Sequence, residues 1–317
     1  LSYFLGRRLA LGLLSLVAAT AIVFALSRAA GDPRLLFIKP GGYAMTKETY
    51  EAVGKKLGLD KPLPIQYVIW MGRVLKGDLG RTVIGELEVA DLVRGRLGAT
   101  IQLSLGAWFV ATAIGVPLGV LSAVKRGSVF DYIGRFIAVI GQSLPSFWVG
   151  IMLILLFAVT LDWLPVAGRG PTGSSFPGNW KYFILPIFTL GFTSAAPYLR
   201  LTRSAMLDVM DSEFVKLARA KGVDSRTVIW KHGLRNALIS PLTYSGLLLA
   251  GFLSGATVVE TVFAWPGIGR LATDAVYNND YPMMTGSVLI FAVLFVVASY
   301  ILDVLYAVVD PRIRFVK

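Results

Sequence analysis

The sequence predicts an all-α membrane protein with six transmembrane helices in a single domain, and three observations carry that expectation. Of 317 residues, 55% are hydrophobic and only 16% charged. The mean hydropathy is +0.67, a balance that suits a polytopic membrane chain better than a soluble two-domain one. Apolar runs recur at about the 20-residue length that crosses a bilayer. Basic residues crowd into alternate connecting segments, as they do on the cytoplasmic side of membrane proteins.

The elements follow in order. Arg7 and Arg8 precede an apolar run, Leu9 to Leu26. A signal peptide is the alternative here, but the run is too long for a typical apolar signal core and no clear cleavage site follows. It reads as a retained first span, about 9–28. Residues 29–98 form a long polar segment on the outer side, with a helical stretch near Lys47–Leu57 and an amphipathic one over Val89–Leu97. A connection of that length is a functional loop, a small subdomain or a covering lid. Span two, about 100–124, holds Gly115-Val116-Pro117-Leu118-Gly119, where the proline kinks the helix and the glycine pair permits close helix approach. Span three, about 135–161, is broken at Pro145. Trp163 and Trp180 mark an outer loop at the membrane interface.

Span four, about 184–205, ends at Arg200 and Arg203, which read either as snorkelling anchors or as contacts to a cytoplasmic partner. Span five, about 242–263, carries Gly251 and Gly255 at the same small-residue spacing and leads into Trp265-Pro266-Gly267-Ile268-Gly269-Arg270. Span six, about 285–309, contains Asp303, an ion expected to pair with an Arg or Lys near the cytoplasmic side or, alternatively, to relay protons. With both ends inside, the inner segments hold Arg7, Arg8, Lys125, Arg126, Arg200, Arg203, Lys231, Arg235, Arg312, Arg314 and Lys317, among others. The two shorter outer loops hold only Arg169, Lys181 and Arg270. The net charge of +12 is therefore assigned to the inner loops, and no nucleic-acid partner is expected.

The cytoplasmic segment 206–240 is the candidate functional region. Phe214, Leu217, Ala218 and Lys221 recur at helical spacing from Glu213 onward. Gly222 stops that helix, and Asp224 or Ser225 caps a second one running to about Ala237, before Pro241. The result is a helix–turn–helix with a small apolar knob at its tip. Nothing obvious in the chain covers the knob, which marks it as a docking element for another protein.

Several chemistries are absent from the sequence. No phosphate-binding G-x-x-x-x-G-K-[ST] run occurs, so the chain is not expected to hydrolyse ATP. No HExxH or G-x-S-x-G occurs. There is no cysteine and one histidine, His232, so no catalytic residue and no metal site are assigned.

The run Lys216-Leu217-Ala218-Arg219-Ala220-Lys221-Gly222 resembles the cytoplasmic loop of ABC importer permeases, in the form found in the peptide and nickel branch. Lys216 and Leu217 stand where the general motif has Glu and Ala, a departure that this branch tolerates. The spacing of Gly31-Asp32-Pro33, Leu57-Gly58-Leu59-Asp60 and Gly77-Asp78-Leu79-Gly80 is similar to the first external loop of peptide importers, and the Trp265–Gly269 run is similar to theirs too. The resemblance implies a type I ABC importer permease fold and half of a translocation pathway for di- or oligopeptides. It also implies a second related permease, two ATPase subunits holding ATP and Mg, an external binding protein, and a prokaryotic cytoplasmic membrane with both termini inside. Coupling to the ATPase is implied for Glu213, Phe214, Lys216, Leu217, Ala218, Arg219, Ala220, Lys221, Gly222 and Val223. No pattern identifies substrate-binding residues, and an ion- or proton-coupled carrier using Asp303 is the alternative.

Overall fold

The computed structural model describes residues 2–29, 51–52, 54–55, 59–83, 85–171 and 178–309. The stretch near Lys47–Leu57 lies largely outside these residues, as do Gly31–Pro33 and the basic tail with Arg312, Arg314 and Lys317. The described chain is a helical bundle: α1 (Ser2–Ala29), α2 (Leu63–Val74), α3 (Val89–Val124), α4 (Val129–Ser143), α5 (Ser146–Thr160), α6 (Lys181–Met210), α7 (Glu213–Ala220), α8 (Ser225–Ala237), α9 (Ile239–Leu253), α10 (Thr257–Val262), α11 (Ile268–Tyr277) and α12 (Tyr281–Val309). The only pairing of extended chain among the described residues is a single antiparallel bridge between Arg81 and Glu88.

Four helices, α1, α3, α6 and α12, are each long and apolar enough to cross a membrane. Two bent pairs bring the number to six if each pair is one span: α4 with α5, bent by 103°, and α8 with α9, bent by 52°. The first bend falls at Leu144-Pro145, where Leu144 is extended and Pro145 starts the next helix. A proline there disfavours helical geometry in the residue before it. Pro117 lies inside α3 without ending it: the helix runs from Val89 to Val124. Pro241 departs from its expected role as a stop, because it lies in the first turn of α9, where a missing N–H goes unneeded.

The core is built on α3 against α6. A side chain at Gly115 would fall 2.8 Å from the Tyr198 Cβ, and one at Gly119 would fall 2.6 Å from the Thr202 Cβ. The small-residue spacing thus sets how closely these two helices pack. At Gly251, by contrast, open space surrounds the position where a side chain would begin, and Gly255 lies beyond the end of α9 with a positive φ. The second glycine pair is therefore not a packing seam like the first.

Towards one end of this seam, Leu103, Ala107, Phe183, Leu185, Val259, Phe263 and Trp265 form one buried cluster. Towards the other, Val120, Ala123, Met206 and Ala237 form a second. The long first connection returns to the bundle, because Tyr67 on α2 shares a hydrogen bond with Thr20 on α1 at 2.8 Å. Phe24, Tyr67 and Trp70 form an aromatic cluster around that contact.

Candidate functional site

The hairpin α7–α8 forms with the geometry its sequence implies. Beyond α7, Gly222 adopts φ +76. Its N–H donates to the Arg219 carbonyl at 2.9 Å, and the Val223 N–H reaches back to the Ala218 carbonyl at 3.2 Å. These two bonds are a Schellman termination, which places its glycine in the left-handed region. Asp224 then caps α8, its Oδ2 accepting from the Arg226 N–H at 3.0 Å. The middle of α8, Val228–Leu234, is wound as a π-helix.

Val215 and Val228 are the buried anchors of this hairpin, while Phe214 is 46% and Leu217 57% exposed. The knob predicted for the tip is therefore uncovered within the chain. Glu213, Lys216, Arg219, Ala220 and Lys221 are exposed around it, and Ala218 and Val223 are half-buried. Lys216 Nζ donates to Glu213 Oε1 at 2.7 Å, a surface pair on one side of the same helix. The sequence reading missed Val215, whose burial orients the helix, and Trp230 on α8, which is also exposed.

A buried ionic joint lies about two turns back along α6 from the hairpin. Arg203, two turns before the end of α6, neither snorkels nor points to a partner surface. Its Nε donates to Asp131 Oδ1 at 2.8 Å and its Nη2 to Asp131 Oδ2 at 3.1 Å. Asp131 begins α4 and is only 1% exposed. It also accepts from Ser122 Oγ on α3 at 2.6 Å and from the Gly127 N–H at 3.0 Å, with Arg135 Nη2 3.4 Å away. One carboxylate therefore joins α3, α4 and α6.

A second buried carboxylate organises the other end of the core. Glu260 on α10, fully buried, accepts from Thr100 Oγ1 on α3 and from the Arg270 N–H, both at 2.9 Å. Thr100 Oγ1 in turn accepts from the Ile268 N–H at 2.8 Å, and the Trp265 indole donates to the Ala99 carbonyl at 2.9 Å. A side chain at Gly267 would overlap the Glu260 carboxylate, 2.1 Å from Oε1. The Pro-Gly-x-Gly run thus owes at least its first glycine to a carboxylate seven residues earlier in the chain.

Comparison with known proteins places this arrangement. Residues 115–315 match the binding-protein-dependent transport system inner membrane components, and residues 1–103 match the N-terminal part of such components. The chain belongs to this permease family. It is similar over 98% of both chains, at 38% identity, to the oligopeptide transport system permease protein AppB of Bacillus subtilis. It is 37% identical over 99% of both chains to the dipeptide transport system permease protein DppB of Escherichia coli K12, and equally so to the glutathione transport system permease protein GsiC of Salmonella typhi. In fold it resembles a chain of the inward-facing MetNI methionine ABC transporter. That likeness has a TM-score of 0.55 and 20% identity, and covers 69% of this chain and 96% of that one. The expected type I ABC importer permease fold is thereby borne out.

Within this permease, Asp303 on α12 pairs with Arg8 on α1 at 3.1 Å, the structural ion pair expected for it. That contact and the family membership together favour an ATP-driven permease over a carrier relaying protons through Asp303.

Proposed function

We propose that this chain forms half of the translocation pathway of an ATP-driven importer of di- or oligopeptides in a bacterial cytoplasmic membrane. A second related permease completes the pathway, an external binding protein delivers substrate, and two ATPase subunits bind ATP and Mg and supply the work. Both termini face the cytosol. Relatives named for oligopeptide, dipeptide and glutathione transport support the substrate class, since all three cargoes are peptides. The observation that carries the coupling role is the uncovered pair Phe214 and Leu217 on a helix anchored by Val215.

Residues 213–223 seat in a cleft of the ATPase. Full burial of each knob side chain contributes about 1.5–3 kcal/mol, less what ordering the two surfaces takes back. ATP-driven closure of the two ATPases then moves α7 and rocks the permease halves between inward and outward access. The basic flank of Lys216, Arg219 and Lys221 steers docking and sets its salt dependence.

The test is uptake of radiolabelled dipeptide by proteoliposomes holding the complex that co-purifies with this chain. Leu217→Asp is expected to lower ATP-dependent uptake more than tenfold while the protein stays in the membrane, because an ion replaces an apolar side chain at the docking surface. Uptake and ATPase stimulation at wild-type levels in that variant would overturn the coupling role.

A further inference from the structure

We propose that Asp131 is a positioning residue that makes the docking hairpin and α4 move as one body, so that a displacement of α7 reaches the bend at Pro145 instead of being absorbed between the helices. The inference rests on the coupling role of α7 and goes beyond it, naming how the displacement leaves the hairpin.

The geometry points to this in three ways. α7 is attached to α6 by the two residues Asp211 and Ser212, and α6 is held by Arg203 two turns earlier. α4 follows α3 after a short turn, Lys125–Ser128, and further along its length packs on α6 where Gly141 meets Ala196. Asp131 ties the start of α4 to the same helix by gripping Arg203, Ser122 and the Gly127 N–H together. Gly134, one turn further along α4, lies close against Ser122: a side chain there would meet the Ser122 Oγ at 3.1 Å, a tight contact. Beyond Pro145, α5 carries the chain to Gly150, where a side chain would fall 3.0 Å from the Phe263 ring beside the Glu260 turn. A contiguous line of contacts therefore runs from α7 through Arg203, Asp131 and the Pro145 bend to the far end of the core. A line of contacts transmits only if its members move together, and the only charged link between α6 and α4 on this line is the Asp131–Arg203 pair.

The chain has no cysteine, so two introduced ones can be labelled alone. Spin labels at Ser225→Cys on α8, outside the docking segment, and Phe136→Cys on α4, both exposed positions, report the hairpin–α4 distance by pulsed electron resonance in the complex with its co-purifying ATPases. With Asp131 intact, one narrow distance distribution is expected both without nucleotide and with ATP trapped. In Asp131→Asn the distribution should broaden about twofold or split when ATP is trapped, and ATP-dependent uptake of radiolabelled glycyl-leucine per ATP hydrolysed should fall at least tenfold, with basal ATPase retained. Arg203→Lys, which keeps the charge but loses the two-pronged grip, should fall between the two.

An unchanged hairpin–α4 distance in Asp131→Asn, or an unchanged transport ratio, overturns the proposal. So does a complex that fails to assemble in Asp131→Asn while Arg203→Lys behaves as the unsubstituted chain, since the carboxylate would then serve folding only. If ATP does not alter the complex even with Asp131 intact, and Leu217→Asp changes nothing, the coupling role of α7 itself is wrong.

Discussion

Asp131 and Glu260 are both buried carboxylates, both tie a neighbouring segment to α3, and they are held in opposite ways. Asp131 is gripped by a guanidinium on the long side chain of Arg203, with Ser122, one backbone N–H and the more distant Arg135 guanidinium also around it. Glu260 is held by the Thr100 hydroxyl and the Arg270 N–H, and the Gly267 backbone lies against it. A two-pronged guanidinium grip fixes the spacing and orientation of the two helices that it joins. A turn wrapped around a carboxylate at contact distance fixes a single turn against α3. The difference teaches that the Asp131 joint suits two long helices moving together, and the Glu260 clasp a turn held rigid in place.

That contrast can be broken by substitution, and the largest effect is expected at the clasp. Glu260→Ala strands the Thr100 hydroxyl and a backbone N–H in the interior, each costing about 1–3 kcal/mol, and is expected to destabilise the protein by about 4 kcal/mol in all, read as a lower unfolding midpoint in detergent. A loss below about 1 kcal/mol would mean that the clasp is not rigid. Asp131→Ala should cost less, about 3 kcal/mol, the low end for breaking a buried pair, because Arg203, 22% exposed, regains some water. Equal losses at the two sites would erase the distinction drawn between them.

Gly222→Ala sharpens the inner side of the comparison. A Cβ in the left-handed region costs about 1–2 kcal/mol, concentrated in the termination of α7, so backbone hydrogen exchange across 213–223 should quicken while the rest of the bundle is unchanged. The smallest effect is expected at Asp303→Asn. The Arg8 partner is half-exposed, so ATP-driven uptake should stay within about twofold of the unsubstituted level. Abolition of flux there would revive a proton-relay role.

The α7–α8 hairpin was legible in the sequence because its determinants are local. Helical spacing of Phe214 and Leu217, a glycine after the last turn and an aspartate before the next all act within about one or two turns of chain. The close seam of Gly115 and Gly119 was legible for the same reason, though the partner helix α6 was not. The identical spacing at Gly251 and Gly255 packed nothing of the kind, so the pattern permits an approach without causing it. Arg203 was assigned either to the membrane interface or to a partner surface, and it does neither. Its partner stands 72 residues earlier in the chain, and nothing local to Arg203 points to Asp131.

Glu260 went unremarked inside an apolar run read as span five. The rule applied to Asp303, that a lone ion in an apolar helix needs a named partner, would have flagged it too. Its partners, Thr100 and Arg270, lie on different elements.

By itself the sequence determined that this chain is a helical membrane protein carrying a basic, knob-tipped hairpin, because hydropathy, charge asymmetry and helix termination are read from neighbouring residues. Only the tertiary structure decided how sharply α4 and α5 bend at Pro145, which glycines serve packing, and which two carboxylates hold α3 to its neighbours. Those outcomes depend on groups far apart in the chain meeting where water is excluded, and burial makes each unpaired ion or donor costly enough to select its partner.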